Sequence, residues 1–275
     1  MKPPTNNFVK KYGPWALITG GASGIGAEFG RQLAARGLSI LIIDIQKELM
    51  SAHATRLREE FGADVRTAAI DLAESGFIAK IRRASRGLEI GLLVNNAADG
   101  TVGMFIGTDA AAMDRAVAVN CRAPLLLARE FAPAMAARQR GGIIFLSSAS
   151  ALQVTPLLAN YAATKAYNLV LAEAIWEELR PLGVDVLALC PGATDTPAFH
   201  KSGARIENLK GAPFMKPEEV VAEALRALGK TPRRVPGLIN RAACVLLTRI
   251  MPRRRALIFM GGKMRALYPE QAGSD

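Results

Sequence analysis

Short apolar runs alternate with longer amphipathic stretches along most of the chain. The strand-like runs occupy residues 15–20, 38–43, 65–70, 91–94, 143–146 and 184–190. Short runs bounded by turn residues are typical of strands that are buried on both faces. The stretches between them are suited to helices, for example 27–36 and the segment from residue 161 onward. This alternation predicts an α/β fold in which helices cover both faces of a parallel sheet.

Two residues in one predicted helix suggest acid–base chemistry. Tyr161 and Lys165 are four residues apart, a spacing that places both on one helix face. A nearby ammonium favours an ionised phenol, so we expect Lys165 to lower the pKa of Tyr161 toward the working pH. Such a phenol can exchange a proton with an alcohol or carbonyl oxygen. The pair is also ordinary on an amphipathic helix, so its meaning depends on other motifs.

A glycine-rich turn follows the first predicted strand. Gly20, Gly24 and Gly26 separate this strand from a helical pattern. Glycines at such a turn allow a pyrophosphate to approach the backbone, and the helix N-terminus offers unpaired N–H groups to the anion. The spacing Gly-x-x-x-Gly-x-Gly differs from the usual dinucleotide fingerprint. The turn therefore predicts a dinucleotide site, with a simple tight connection as the alternative.

An acidic residue ends the second predicted strand. Asp44 stands twenty residues after Gly24. A carboxylate at this place can accept a hydrogen bond from the ribose 2′-OH of NAD and repels the 2′-phosphate of NADP. We therefore expect NAD to be preferred and NADP to be less favoured. Lys47 is a base that could still reach a 2′-phosphate, and Asp44 could instead act only as a helix cap.

Five motifs in order resemble the short-chain dehydrogenase/reductase family. The resemblance covers about residues 13–200. The motifs are Thr19-Gly-Gly-Ala-Ser-Gly-Ile-Gly26, Asn95-Asn-Ala97, Ser148, Tyr161-x-x-x-Lys165 and Pro191-Gly192. The resemblance implies a single Rossmann-like, doubly wound parallel sheet and oxidoreductase chemistry on a C–O bond.

The resemblance also implies catalytic roles. Tyr161 is the expected general acid/base, and Ser148, thirteen residues before it, hydrogen-bonds the substrate oxygen. Lys165 lowers the pKa of Tyr161 and holds the nicotinamide ribose. Asn120, twenty-eight residues before Ser148, positions a water that links Lys165 to solvent. The nicotinamide performs the hydride transfer, so the protein supplies orientation and electrostatics.

The family pattern assigns further residues to the dinucleotide. Asp71 is expected beside the adenine amino group, and Thr196 beside the nicotinamide carboxamide. The full expected set is Gly20, Ser23, Gly24, Ile25, Gly26, Asp44, Asp71, Leu72, Asn95, Ala97, Tyr161, Lys165, Pro191, Gly192, Thr194 and Thr196. One departure is Ala98, which stands where the family usually has glycine and stiffens the turn.

Composition is compatible with one soluble enzyme domain. The 275 residues, half of them apolar, can bury one large core. No apolar run reaches the length of a membrane span, and residues 1–13 lack the apolar core of a secretory signal. The three cysteines are scattered along the chain. We expect a cytoplasmic protein with reduced thiols. Only two histidines occur, without a metal-like cluster, so no metal is expected.

The segment after the sixth predicted strand is expected to cover the substrate. Residues 196–213 correspond to the family's substrate lid, within a catalytic domain at 1–237. A small hydrophobic secondary alcohol or ketone is the expected substrate. Apolar candidates for its pocket are Phe199, Leu209, Phe214 and Met215 of the lid region, with Phe105, Leu152, Val154, Leu157 and Leu158 from two earlier loops.

The C-terminal segment differs from the rest in charge. Residues 226–275 contain 11 Lys or Arg and 2 Asp or Glu, so they carry +9 of the total +11. Residues 238–251 resemble an apolar helix, Arg253, Arg254 and Arg255 follow, and 256–260 form a second apolar run. The extension at 238–275 suits an anionic membrane surface, a contact in a homo-oligomer, or a solvated tail. Nucleic acid is disfavoured because few aromatic residues lie near the charges.

Two classes of function follow from these observations. The first is an NAD(P)-dependent oxidoreductase that interconverts a secondary alcohol and its ketone, with NAD preferred. An NADPH-dependent reductase of ketoacyl or steroid-like ketones is the alternative within this class. The second class is a dinucleotide-binding regulatory protein without turnover. The complete set of Asn120, Ser148, Tyr161 and Lys165 favours the enzyme.

Overall fold

Seven strands form one parallel sheet in the order β3-β2-β1-β4-β5-β6-β7. The computed structural model describes residues 7–208 and 214–273. The strands are β1 (Trp15–Thr19), β2 (Ser39–Asp44), β3 (Val65–Ala69), β4 (Ile90–Asn95), β5 (Gly141–Leu146), β6 (Val184–Leu189) and β7 (Arg233–Arg234). The six predicted strands are confirmed, with ends shifted by at most two residues, and β7 is an addition. The predicted doubly wound parallel sheet is therefore confirmed.

Helices connect the strands and continue into the C-terminal segment. They are α1 (Asn7–Tyr12), α2 (Gly24–Ala34), α3 (Lys47–Phe61), α4 (Phe77–Ala84), α5 (Ala110–Val117), α6 (Ala123–Ala137), α7 (Ala149–Leu152), α8 (Ala159–Leu179), α9 (Pro197–His200), α10 (Pro217–Ala227), α11 (Leu238–Val245) and α12 (Arg253–Leu267). Helix α2 begins at Gly24, three residues before the predicted 27–36 segment, and Ser23 is its extended N-cap residue.

Two layers of apolar side chains fix the helices on the sheet. Phe29 of α2, Leu57 of α3 and Val221 of α10 pack on one face with alternate residues of the strands. Phe77 of α4, Leu127 of α6 and Leu169 of α8 pack on the other face. Burial on both faces explains why the strands are continuous apolar runs. The order of the strands reverses between β1 and β4, and ligands of open α/β sheets bind at this type of crevice.

The C-terminal segment lies against the expected substrate lid. Helix α11 continues as a π-helical turn at Leu246–Ile250, so the predicted helix over 238–251 consists of two kinds of helical turn. Leu157, Met264, Leu267 and Tyr268 form a separate buried cluster. Arg205 N donates to Leu267 O at 2.8 Å, which ties this cluster to the lid region. The predicted position Leu209 and the rest of 209–213 lie outside the described residues.

Within the described residues, no helix combines the length and the apolar character that crossing a membrane requires.

Candidate active site

Tyr161 and Lys165 lie on one face of α8, as their spacing predicts. The Lys165 ammonium is 5.5 Å from the centroid of the Tyr161 ring. Lys165 is 1 % exposed, and its Nζ donates to the Leu146 carbonyl at the end of β5 at 2.8 Å. Helix α8 thus brings the two groups to the carboxyl end of the sheet.

The electrostatic state of the pair differs from the prediction. Burial raises the pKa of Tyr161 to about 12, although the Ser148 hydroxyl opposes this by hydrogen-bonding the phenol. Burial also lowers the pKa of Lys165 to about 8. We expected a lowered pKa at Tyr161, but burial is the largest cause at both groups, and it disfavours the phenolate and the ammonium alike. Lys165 directs its ammonium to the Leu146 carbonyl, which limits its influence on the phenol oxygen.

Ser148 occupies the turn between β5 and the short helix α7. Its Oγ accepts a hydrogen bond from Ser150 N at 3.1 Å and caps that helix. The neighbouring Ser147 donates to the Lys165 carbonyl at 2.7 Å and is 1 % exposed. Ser147 therefore fixes the strand end to α8, whereas Ser148 interacts with the phenol.

Asn120 is fully buried in a π-helical turn, Ala118–Arg122, between α5 and α6. Its Nδ2 donates to the Asp99 carbonyl at 2.6 Å and to Thr164 Oγ1 at 2.9 Å. Its Oδ1 accepts from Asp99 N at 2.8 Å. The side chain therefore holds the loop after β4 against α8. Its expected role in positioning a water stays a prediction.

The glycine turn has the geometry of a close backbone approach. Gly20 and Gly24 have left-handed φ angles of 63° and 55°. A Cβ at Gly26 would lie 2.0 Å from the Gly20 carbonyl oxygen, so no side chain fits there. Asn96 secures the turn from β4, because its Nδ2 donates to the carbonyls of Thr19 and Gly20, both at 2.9 Å. Gly26 thus allows α2 to pack on the turn.

Asp44 is 7 % exposed at the end of β2. Its Oδ2 accepts from Ala22 N at 3.0 Å, and its Oδ1 accepts from Ile45 N at 2.7 Å and Gln46 N at 3.0 Å. Three of the approximately four acceptor positions of a carboxylate are therefore used by the backbone. The remaining position, on Oδ2, is available to a ligand hydroxyl.

An open pocket of about 410 Å³ joins these elements. The predicted residues that line it are Gly20, Ser23, Gly24, Ile25, Asp44, Asp71, Leu72, Ala97, Tyr161 and Thr196. Its lining also includes residues that the sequence interpretation missed, among them Asn96, Asp99 and Arg115. Asn96 belongs to the recognised Asn-Asn-Ala motif and could have been chosen from it, whereas no local pattern marks Arg115.

Six other predicted cofactor contacts, and the catalytic candidates Asn120 and Ser148, are not part of the pocket lining. Gly26 packs beneath the turn, and Asn95 is 3 % exposed at the end of β4. The Pro191 carbonyl accepts from Ala149 N at 2.8 Å, and Thr194 Oγ1 donates to the Gly192 carbonyl at 3.0 Å. These five predicted residues, together with Lys165, are the six cofactor contacts outside the lining. Their expected contacts with the cofactor stay a prediction.

The expected substrate side is assembled only in part. Phe199 and Phe214 are in ring contact, with centroids 5.2 Å apart. Leu157 is 8 % exposed and belongs to the cluster of the C-terminal segment. Phe105 and Val154 are 66 % and 42 % exposed. The loop after β4 and the C-terminal segment thus present apolar side chains at this end of the sheet.

The family model described as short chain dehydrogenase matches residues 14–207. This chain belongs to the short-chain dehydrogenase/reductase family. It is an oxidoreductase that acts on CH–OH or C=O groups and uses a nicotinamide dinucleotide. The matched region includes the glycine turn, Asn120, Ser148, Tyr161 and Lys165.

Two relatives show how far the similarity extends. A 7beta-hydroxysteroid dehydrogenase of Clostridium sardiniense is 30% identical over 235 residues, which are 86% of this chain and 90% of the relative. A very-long-chain 3-oxoacyl-CoA reductase of Bos taurus is 30% identical over 228 residues, 79% of this chain and 69% of the relative.

Solved structures have the same fold over most of the chain. A structure from work on 7beta-hydroxysteroid dehydrogenase stereoselectivity has a TM-score of 0.86 at 26% identity and covers 92% of this chain and 98% of its own. A short-chain dehydrogenase from Sphingobium yanoikuyae in complex with NADPH has a TM-score of 0.75 at 29% identity, covering 90% and 95%. A 3-ketoacyl-(acyl-carrier-protein) reductase from Brucella melitensis complexed with NADH has a TM-score of 0.70 at 27% identity, covering 82% and 97%.

Proposed function

We propose that this protein interconverts a hydrophobic secondary alcohol and its ketone with NAD(H), with Tyr161 as the general acid/base. The observation that carries the proposal is the approach of Lys165 and Ser148 to Tyr161 at the wall of a pocket formed by the glycine turn and Asp44. This arrangement joins a proton-transfer group to a dinucleotide pocket. It disfavours a purely regulatory dinucleotide-binding protein, which needs no buried lysine beside a phenol.

The residues present fit a dinucleotide. A turn with two left-handed glycines leaves room for a pyrophosphate, and the N-terminus of α2 faces the turn. Asp44 keeps one acceptor position available. The buried side chain of Asn95 has no hydrogen-bond partner for either Nδ2 or Oδ1 within the described residues, which is consistent with a ligand or water as its partner.

The preference for NAD follows from charge at the ribose end. Asp44 is an acceptor and an anion, and the next residue is the exposed apolar Ile45. A 2′-phosphate would meet a buried carboxylate without an arginine beside it in sequence. This supports NAD, because like charges at short range disfavour the phosphorylated cofactor. NADPH is the alternative, favoured by its presence in one related structure.

The mechanism requires a proton at the Tyr161 oxygen for ketone reduction and its removal for alcohol oxidation. Bound nicotinamide supplies the hydride acceptor or donor. Tyr161 gives or takes the proton of the substrate oxygen, and Ser148 stabilises the phenolate by hydrogen bonding. Lys165, whose pKa is about 8, can exist in both protonation states near neutral pH. The lysine thus places a second titratable group beside the phenol ring, with its ammonium held by the Leu146 carbonyl.

Apolar surroundings support a hydrophobic substrate. Phe199 of the lid, Phe214 directly after it and the cluster containing Leu157 and Tyr268 lie at this end of the sheet. One relative is a 7beta-hydroxysteroid dehydrogenase and another a very-long-chain 3-oxoacyl-CoA reductase, and their names refer to a steroid and to a long acyl chain, which are both largely apolar. A steroid-like or ketoacyl compound is thus a reasonable class, with residues 1–237 as the catalytic unit and 196–213 as its lid.

The test is a substrate screen that follows reduced-nicotinamide absorbance. Hydroxysteroids, aryl and alkyl secondary alcohols, their ketones and 3-oxoacyl thioesters are each assayed with both cofactors. We expect turnover of at least one bulky apolar pair with NAD(H). Dinucleotide binding without turnover of any compound, in parent protein and in Tyr161→Phe alike, would favour the regulatory alternative.

We also propose that the protein is a homo-oligomer. Val117 of α5, Leu125 of α6 and Val170 of α8 are apolar and 43 %, 38 % and 66 % exposed, and α8 contacts both α5 and the turn before α6. Such exposed apolar side chains on neighbouring helices are typical of protein contacts. Light scattering of the parent and of Val170→Glu tests this. A parent that is already monomeric would refute it.

The basic C-terminal extension, 238–275, is proposed to contact an anionic membrane surface. Helix α11 and the following turn expose a stripe that includes Leu238 (76 %), Leu246 (47 %) and Ile250 (67 %). Residues 238–269 carry seven basic side chains and no acidic one. A second copy docked symmetrically on this patch would bring like charges together. An anionic bilayer instead offers both an apolar layer and opposite charge.

Each basic residue near an anionic lipid surface contributes about 1 kcal/mol, which salt screens. We expect sedimentation with phosphatidylserine-containing vesicles at low salt, less at high salt, and little with pure phosphatidylcholine. Ile250→Asp should weaken binding, and so should replacing Arg253, Arg254 and Arg255 by Gln. Point variants are preferable to a deletion, because Met264 and Leu267 are buried against the lid. Equal binding to anionic and to phosphatidylcholine vesicles would refute the proposed electrostatic attraction between the extension and the membrane.

A further inference from the structure

The nucleotide pocket contains an unusual excess of carboxylates. Asp44, Asp71 and Asp99 line it, and Arg115 is the one basic residue among its described lining residues. A dinucleotide brings a negatively charged pyrophosphate to this pocket. Three carboxylates around an anionic ligand are unfavourable unless they are neutralised or hydrogen-bonded.

Arg115 reaches two of these carboxylates from α5. Its NH1 and NH2 donate to the two oxygens of Asp71, at 2.9 and 3.1 Å. Its Nε donates to Asp99 Oδ2 at 3.0 Å. The guanidinium is therefore bidentate to one carboxylate and bonded to a second. A planar fork with fixed donors is suited to this geometry, and a lysine could not reproduce it.

The contacts place Arg115 between the two ends of the site. Asp71 follows β3, where the adenine is expected, and its Oδ1 also accepts from Ala73 N at 2.9 Å. Asp99 belongs to the loop after β4, and its backbone exchanges two hydrogen bonds with the Asn120 side chain. One guanidinium thus connects the adenine side of the pocket with the buried Asn120.

The arginine keeps Asp71 ionised and oriented. Its hydrogen bonds lower the pKa of Asp71, and Asp71 raises the pKa of Arg115. Two oxygens of Asp71 accept three protein hydrogen bonds, so about one acceptor position remains on Oδ2. This position suits the amino group of an adenine. Because the Arg115 and Asp71 side chains are 40 % and 31 % exposed, their pairing contributes little to the stability of the fold.

We infer that Arg115 is a positioning residue for the dinucleotide: it neutralises Asp71 and Asp99 and aims Asp71 at the adenine. The inference rests on the proposed dinucleotide pocket. An adenine bound beside Asp71 would exclude water from the ion pair and so strengthen it, and we therefore expect the pairing to act mainly in the complex. Loss of Arg115 should therefore weaken cofactor binding and leave proton transfer at Tyr161 nearly unchanged.

The experiment compares Arg115→Met and Arg115→Lys with a matched surface control. Arg82 is also bidentate to a carboxylate, through Nε at 2.8 Å and NH2 at 2.6 Å to Glu130, and neither residue lines the pocket. Arg82→Met therefore removes a similar ion pair elsewhere. Dissociation constants are measured for NADH, for AMP as the adenine fragment, and for nicotinamide mononucleotide as the other fragment.

We expect Arg115→Met to weaken NADH and AMP binding by about tenfold, which corresponds to about 1.4 kcal/mol. Nicotinamide mononucleotide should change by less than about twofold, and kcat at saturating cofactor by less than about threefold. Arg115→Lys should fall between parent and Arg115→Met, and Arg82→Met should match the parent. Adding Asp71→Asn to Arg115→Met should recover part of the AMP affinity, because the unpaired carboxylate is removed.

Unchanged AMP affinity in Arg115→Met refutes the inference, and so does an equal loss for both fragments. If Arg115→Met unfolds at a much lower temperature than Arg82→Met, a structural role is indicated and the inference is also refuted. A parent that binds neither NADH nor AMP contradicts the proposed function itself. These results are distinguishable, because only the last involves the parent protein.

Discussion

Asn120 and Asp99 are joined by reciprocal hydrogen bonds, in which Asn120 Nδ2 donates to the Asp99 carbonyl at 2.6 Å and Asn120 Oδ1 accepts from Asp99 N at 2.8 Å. The side-chain amide of Asn120 thus pairs with the backbone N–H and C=O of Asp99 as a neighbouring strand would. Asn120 lies in a π-helical turn, a local irregularity that is frequent at functional sites. The turn and the loop together hold the pocket side of the site against α8.

Replacing Tyr161 by Phe should abolish turnover and leave cofactor binding within a few-fold of the parent. The substitution removes the phenol oxygen and retains the ring beside Lys165. Positioned proton transfer contributes about 10²–10⁴-fold, so the loss belongs to kcat. Steady-state kinetics and NADH titration measure the two effects. A variant with more than about a tenth of the parental activity would exclude Tyr161 as the acid/base.

Changing Asp44 to Ala together with Ile45 to Arg should shift preference toward NADP(H). The first change removes a buried anion, and the second places a guanidinium at a position that is 58 % exposed and has room for it. Loss of Asp44 also leaves three backbone N–H groups without their acceptor, so some stability is lost.

Titration of both cofactors measures this preference. Asp44→Asn is the matched control, since it keeps the shape and an acceptor oxygen while removing the charge. If the parent binds NADP(H) as tightly as NAD(H), another base compensates for Asp44 and the expected preference is wrong.

The sequence predicted those parts of the site that depend on local geometry. An apolar run followed by glycines can form little other than a buried strand and a turn, and β1 with Gly20 and Gly24 confirms it. Tyr161 and Lys165 share a helix face because a helical spacing of four leaves no alternative. The confirmed family relationship adds Ser148, which comes from a different element.

Long-range relationships were not predictable in the same way. Arg115 contacts Asp71 across 44 positions of sequence, and no periodicity encodes such a pairing. The direction of the Tyr161 pKa shift was predicted wrongly, because the degree of burial depends on the whole fold. Likewise, the packing of Tyr268 beside Leu157 depends on how the chain returns to the lid.

Replacing Gly26 by Ala should destabilise the protein strongly and disrupt the nucleotide turn. The added Cβ would lie 2.0 Å from the Gly20 carbonyl oxygen, which is backbone and cannot move alone. Overpacking that shifts the backbone typically costs about 1–3 kcal/mol and occasionally more. Gly107→Ala is the control, because nothing lies within 4 Å of its added Cβ. Gly26→Ala should unfold at a lower temperature and bind NADH more weakly than Gly107→Ala. Equal unfolding temperatures and equal NADH affinities would argue against tight packing at Gly26.

Lys165 should reduce the stability of the fold at neutral pH. Burial lowers its pKa from 10.5 to about 8, so the folded protein holds the charged form less favourably than the unfolded chain. This difference corresponds to about 3 kcal/mol below pH 8. Lys165→Met removes this cost but leaves the Leu146 carbonyl without its partner, a loss of about 1 kcal/mol. We expect the inactive variant to be more stable than the parent by about 2 kcal/mol at pH 7.

The pH dependence distinguishes this cause from better packing of methionine. As pH rises from 8 toward 10.5, the folded parent has already lost the proton while the unfolded chain still binds it, so the parent gains stability with pH. The advantage of Lys165→Met should therefore shrink over this window and become a small disadvantage above it. Urea unfolding at pH 7 and near pH 10 measures the change. An advantage that is the same at both pH values would mean that the charge of Lys165 is not its origin.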